Sequence, residues 1–265
     1  MRLSAAPDRA QAIAVLRRAV DLGVNHIDTA QFYFSPQRSA NELINSALAP
    51  YPDELVITTK VWPARDPSGE WWWATPGQLR GQVEENLRQL GRDHLDVVNL
   101  RIPVSSADKP IGEHFAVMAD LQKEGLIRHL GISGVGPAHL AEVQAIAPVV
   151  CVQNRFTIDD SGDALLDICG QQHVAFVPFF AIAGRGRESG VGADDPAAAP
   201  VEAIAAAHGA TAAQIRLAWT LAQGPHVLAI PGTGNLEHLD GNVAAAAIRL
   251  TEDERAQLES VVSAA

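Results

Sequence analysis

Lysine is scarce in this chain. Lys60, Lys109 and Lys123 are the only three among 265 residues, set against 31 acidic side chains and a net charge of −11. So little basic surface leaves no counterpart for a nucleic-acid backbone or an anionic lipid headgroup, and neither is expected as a partner. Cysteine is nearly as rare. Cys151 and Cys169 cannot build a disulfide framework and their spacing fits no metal motif, so no metal is expected. Cys151 lies in an apolar run and reads as a buried, inert thiol. No stretch approaches the roughly 18 apolar residues of a membrane span. Residues 1–8 lack the apolar centre of a signal segment, so a cytoplasmic location is the expectation. Linkers and low-complexity segments are missing too, which points to one domain over residues 1–265.

What the chain does contain is an alternation of short apolar strands with longer amphipathic windows. Strands are expected at Val24–Ala30, Leu55–Val61, Leu95–Arg101, Ile127–Ser133, Val149–Arg155, Val174–Phe180 and Val227–Gly232. Each is apolar enough to be buried on both faces, as in a parallel sheet. Helices are expected at Asp8–Leu22, Thr75–Leu90, Ile111–Glu124, Pro137–Ala147, Ser161–Gln171, Pro200–His208, Thr211–Gln223, Leu236–Ala246 and Thr251–Val262. Gly184–Ala199 reads as a long polar loop, with Asp194 and Asp195 solvated. Repeated βα units imply right-handed crossovers. The fold class is therefore α/β, a (β/α)8 barrel of TIM type with its first strand truncated or missing, since Met1–Leu3 can supply only a stub. That shortfall leaves an exposed edge or a contact with a second copy of the chain, a homo-oligomer.

In such a barrel the chemistry sits at the carboxyl ends of the strands. The polar residues there are Asp28, Lys60, Arg101, Ser133, Gln153 with Asn154, and the Pro231–Asn235 turn. A lone buried Lys or Asp is costly, so Asp28 and Lys60 are expected to pair. Tyr33, one of two tyrosines, follows Asp28 by five residues. An ammonium beside it is expected to lower the phenol's pKa from about 10, making it a proton donor to a carbonyl oxygen. A structural ion pair with an unrelated tyrosine fits the same spacing equally well.

The motifs themselves resemble a known family. Gly23-Val24-Asn25-His26-Ile27-Asp28-Thr29-Ala30-Gln31-Phe32-Tyr33 and the segment Leu90-Gly91-Arg92-Asp93-His94-Leu95-Asp96 resemble signatures of the aldo-keto reductases. Lys60 falls at the family's strand lysine, and Gly131-Ile132-Ser133, Val152-Gln153-Asn154 and Ile230-Pro231-Gly232-Thr233 follow in the family's order. Asp96-Val97-Val98-Asn99-Leu100-Arg101 is similar to the bacterial branch that includes pyridoxal reductases. The resemblance implies a catalytic set of Asp28, Tyr33, Lys60 and Arg101, with Arg101 where most members carry histidine. It implies NADPH held by Ser133, Gln153, Phe179, Gly232, Thr233, His238 and Asn242, and a small carbonyl compound as substrate. Trp71, Trp72 and Trp73 read as a loop that walls the substrate pocket or anchors the rim. His26 and His94 read as structural.

Four departures weaken the cofactor side of this resemblance: the nearly absent first strand, Gly134 for an asparagine, Gly232 and Gly241 for a lysine and a glutamate, and His238 for an arginine. Each lost bond to a charged group costs roughly 1.5–3 kcal/mol. NADPH remains the expected cofactor, with weakened or lost binding as the open alternative. NADPH-dependent reduction of an aldehyde or ketone, a pyridoxal-like or secondary-metabolite carbonyl, leads. It stands ahead of a dinucleotide-free enzyme of acid–base chemistry (cyclisation, isomerisation or dehydration) and, third, a non-catalytic partner protein.

Overall fold

The computed structural model describes residues 8–35, 38–66, 68–103, 107–158, 162–182 and 197–263. These group into two compact units, one of Met1–Gln153 with Gly232–Leu236 and one of Asn154–Pro231 with Glu237–Ala265.

The first unit is a run of βα repeats on a parallel sheet. Strand His26–Asp28 pairs with Val56–Val61, which pairs with Leu95–Arg101, then Ile127–Ser133, then Val149–Gln153. Leu95–Arg101 is buried along all but its last residue, as a central strand of β-branched and aliphatic residues should be. The helices follow capping chemistry that the sequence announces. Asp8 accepts from Gln11 N at 2.7 Å and opens helix Arg9–Asp21. Helix Leu79–Leu90, entered through a short 3-10 turn at Pro76–Gln78, stops at Gly91 in the left-handed conformation.

The second unit carries helices Ala164–Gln172, Ala198–His208, Ala212–Leu221 and Glu252–Ser263. Its core joins Phe156 to Phe176 edge-to-face and to Trp219 face-to-face, with centroids at 5.8 and 5.4 Å. Helix Leu236–Ala244 begins at the last residue of the first unit's Gly232–Leu236 segment.

Several expectations need correction. Val24–Ala30 contracts to His26–Asp28 because Val24 N is spent on Ala19 O in the preceding helix turn. Val174–Phe180 contracts to Ala175–Phe176, since Pro178 has no N–H to continue the ladder. Val227–Gly232 is no strand: only Val227 bridges, to Phe176, before Pro231 intervenes. The tryptophan triple is not loop but strand, pairing antiparallel with Pro63–Arg65. Helix Ala40–Leu48 was not expected at all, although Ser39-Ala40-Asn41-Glu42 is a capping-box pattern and Ser39 caps Glu42 N at 3.5 Å. The expected stub at Met1–Leu3 lies outside the described residues. So does the Gly184–Ala199 loop as far as residue 196, and with it Asp194 and Asp195.

Behind the sheet the two helices Ala40–Leu48 and Leu79–Leu90 bury amides rather than hydrocarbon alone. Thr29 Oγ1 donates to Asn41 Oδ1 at 2.8 Å, and Asn41 Nδ2 donates to Asn86 Oδ1 at 2.9 Å. Thr59 Oγ1 donates to the same Asn86 oxygen at 2.6 Å, while Asn86 Nδ2 donates to Gln82 O at 2.8 Å. Gln82 in turn accepts from Trp62 N and donates to Trp62 O. All of these side chains are buried, so every lost partner leaves an unsatisfied group. Asn86→Ala is expected to lower unfolding stability by roughly 2–3 kcal/mol in a urea titration. A loss under about 0.5 kcal/mol, the scale of an ordinary surface change, would show that the network is not cooperative.

Candidate active site

In a parallel sheet, residues in register lie side by side and alternate residues share a face. Lys60 registers with Asn99, Asn99 with Gly131 and Gly131 with Cys151; one step on, Arg101 registers with Ser133 and Ser133 with Gln153. Lys60, Arg101, Ser133 and Gln153 therefore project from one face near the carboxyl ends of neighbouring strands. Asp28, in register with Thr58, joins the same face from the first strand.

The centre of this face is an ion pair. Lys60 Nζ donates to Asp28 Oδ1 at 2.6 Å, to Oδ2 at 2.7 Å and to Thr29 O at 2.9 Å, with the lysine 4% exposed. Gln153 Nε2 donates to Asp28 Oδ2 at 2.8 Å, so the carboxylate is held from two strands. The expected pairing of Asp28 with Lys60 is present. Burial alone would strip the charge from Lys60, but Asp28 and then Tyr33 outweigh it and raise its pKa above the ordinary value.

Tyr33 follows on the loop, half-buried, with Lys60 Nζ 5.1 Å from its ring centroid. The direction of its pKa corrects the sequence expectation. Burial dominates and raises it; the attraction and hydrogen bond of Lys60 pull down but do not prevail, and Asp28 works against them. The phenol is thus held in its protonated form.

Arg101 Nη1 donates to Ser133 Oγ at 3.3 Å, and Ser133 is fully buried. Gly131, in register between Asn99 and Cys151, has a structural reason the sequence could not supply. A Cβ there would lie 2.1 Å from Asn99 Oδ1 and 2.5 Å from Cys151 Sγ, which donates to that oxygen. His26 lies under Asp28 on the same strand, its Nε2 2.9 Å from Thr58 Oγ1. Its pKa is lowered, by burial first and also by Lys60, against the pull of Asp28.

The tryptophan strand carries an aromatic chain toward Tyr33. Trp71 and Trp73, on one face of their strand, stack with centroids 6.3 Å apart. Trp71 meets Phe32 edge-to-face at 5.5 Å, and Phe32 meets Tyr33 at 5.1 Å. Arg65 lies 5.3 Å from the Trp71 ring and 5.4 Å from Phe34. All three indoles remain 40–51% exposed. Sequence reasoning missed Phe32, Arg65 and the buried amides; their spacing gave no sign of three-dimensional adjacency.

Of the residues expected at the cofactor, Ser133 and Gln153 sit on the strand-end face just described. Thr233 Oγ1 accepts from Asn235 N at 3.1 Å, which closes the turn into helix Leu236–Ala244, and Gln11 Nε2 donates to Gly234 O at 2.8 Å. Gly232 is exposed within that turn. In the second unit Phe179 bridges to Arg155 and packs edge-to-face on Phe180, while His238 is exposed and Asn242 half-buried on the helix. Among the described residues no cluster of three His, Cys, Asp or Glu side chains could hold a metal, and no helix is long and apolar enough to cross a membrane.

Asp28, Tyr33 and Lys60, in this order along the chain, bring an ion pair at parallel-strand ends beside a protonated phenol. The aldo/keto reductase family model matches residues 1–263, and the chain belongs to that family. It is an oxidoreductase of the (β/α)8-barrel class. It is similar to a pyridoxine 4-dehydrogenase from Escherichia coli strain K12, 40% identical over 96% of this chain and 87% of that protein. An oxidoreductase of Schizosaccharomyces pombe is 35% identical over 95% of this chain and 79% of its own length. Among solved structures, an aldo-keto reductase from Klebsiella pneumoniae in complex with NADPH superposes with a TM-score of 0.81 at 30% identity, covering 98% of this chain and 88% of that one.

The chain has only two tyrosines, Tyr33 and Tyr51, and burial pushes Tyr51 up as well, to about 12, against the nearby Arg92. Both folded-state values lie above the unfolded value, so the folded chain keeps protons that the unfolded chain releases. Stability is then complete below pH ~10 and declines as pH rises beyond it. Phenolate absorbance at 295 nm is expected to show no step near pH 10 in the folded protein. A full two-tyrosine step there would contradict the burial argument.

Proposed function

We propose that the chain catalyses the NADPH-dependent reduction of an aldehyde or ketone to an alcohol, on a planar, pyridoxal-like carbonyl compound. The observation that carries this reading is the Lys60–Asp28 pair set against Tyr33, with Arg101 and Ser133 on the same face. The fit to NADPH is partial but real. Ser133 and Gln153 offer buried polar groups at strand ends, and the Gly232–Leu236 turn opens a helix whose first N–H groups suit a phosphate. The Klebsiella relative is described with NADPH, and the Escherichia relative as acting on pyridoxine. Phe179, His238 and Asn242 keep the cofactor roles that the resemblance assigns them. Gly134, Gly232 and Gly241 lower the affinity without removing these groups.

The chemistry that bound NADPH supplies is hydride donation to the carbonyl carbon. Tyr33 gives its hydroxyl proton to the carbonyl oxygen, and its raised pKa keeps that proton in place until the oxygen gains charge. The phenolate left behind is stabilised by the Lys60 ammonium, an attraction absent from the neutral ground state. Asp28 holds Lys60, and Gln153 holds Asp28. Arg101 is charged at every working pH, so it orients the carbonyl and stabilises oxyanion charge without shuttling protons. Trp71, Trp72 and Trp73 provide the flat apolar wall for the rest of the substrate.

The second reading, acid–base chemistry without dinucleotide, is favoured by the departures at Gly134, Gly232, Gly241 and His238 and by the short N-terminal stub. One pair of measurements separates the two. NADPH fluorescence is expected to shift on binding, and Tyr33→Phe to lower kcat by ~10²–10⁴ while changing the NADPH Kd by less than about threefold. If millimolar NADPH leaves the fluorescence unchanged, the redox reading fails. Trp71→Ala is expected to raise KM for an aromatic aldehyde by about tenfold, the loss of one stacked apolar contact; an unchanged KM would remove the wall.

A further inference from the structure

Arg101 and the residue after Ser133 compete for one volume. Gly134 follows the strand Ile127–Ser133 with φ +73°, its N–H bonded to Gln153 O at 3.0 Å. A Cβ built on it would stand 2.4 Å from Arg101 Nη1 and 3.1 Å from Cζ. The same Nη1 donates to the buried Ser133 hydroxyl. The guanidinium therefore fills the space that any side chain at position 134 would claim.

We propose that Gly134 is a positioning residue for Arg101. Its missing side chain and left-handed backbone seat the guanidinium against Ser133, on the face that carries Lys60 and Asp28. The inference rests on the role given to Arg101 above. It also recasts an apparent defect. Gly134 is not merely a lost carboxamide; it is the condition for holding a guanidinium at this strand end. The clash would fall on the far tip of a long, flexible side chain, so a substituent at 134 displaces Arg101 rather than unfolding the chain.

A double-mutant cycle tests this on the full-length enzyme. Gly134→Ala adds the least bulk, while Gly134→Asn adds more but tolerates a left-handed backbone. If one of the two variants fails to fold, the other carries the test. Each is measured with and without Arg101→Ala, using NADPH and pyridoxal, with the NADPH Kd read separately by fluorescence. In the Arg101 enzyme, kcat is expected to fall about tenfold or more, with Kd within about threefold of the parent. After Arg101→Ala, the same Gly134 substitution should change kcat by less than about twofold, because the guanidinium it displaces is gone; any effect of backbone strain is common to both backgrounds and cancels in the comparison between them. An equal loss in both backgrounds, or a loss confined to Kd, overturns the proposal. If Arg101→Ala alone leaves kcat unchanged, the catalytic role of Arg101 is what has failed, and the positioning role falls with it.

Discussion

A lysine ammonium taken out of water must be answered, and the Lys60–Asp28 pair is how this sheet answers it. Removing one partner of a buried pair typically costs about 3–5 kcal/mol, because the survivor is left uncompensated. Three acceptors surround the ammonium, and a carboxamide from another strand braces the carboxylate. These contacts require Asp28 opposite Thr58, two residues before Lys60, and a slip of one residue would send one partner to the wrong face. The amide network behind the sheet guards that register, since Thr29 and Thr59 each adjoin a member of the pair and are tied to Asn41 and Asn86.

The polar layer above the pair takes its character from one permanent cation. A histidine there would gain and lose charge near neutrality; Arg101 does not, so its side of the face keeps one electrostatic state across physiological pH. Burial pushes Tyr33 and His26 away from neutrality. Tyr33 rises and His26 falls, and each keeps its neutral form.

Much of this was legible beforehand because it follows from short-range rules. Caps at Asp8 and the stop at Gly91, the pairing of Asp28 with Lys60 and the burial of Cys151 all come from local chemistry or from the cost of a lone charge. The misses share a different cause. Helix Ala40–Leu48 is brief and buries an asparagine, which blurs its apolar stripe and leaves the capping box at Ser39 as its one local signal. The tryptophan strand has no alternation of apolar and polar residues to betray it. The sign of the Tyr33 shift depends on how much water the fold removes, which no spacing of residues encodes. Gly131 reads in the sequence as part of a motif and Gly134 as a missing carboxamide, because neither position's neighbours in space follow from its neighbours in the chain.

The rings running from Trp73 through Trp71 and Phe32 to Tyr33 touch in sequence, and Phe32 in the middle is buried. Phe32 has little room to shift without moving a neighbour, so the half-exposed indoles and the half-buried phenol are joined through one close-packed ring. A larger or smaller side chain at position 32 would therefore disturb both ends of the row at once.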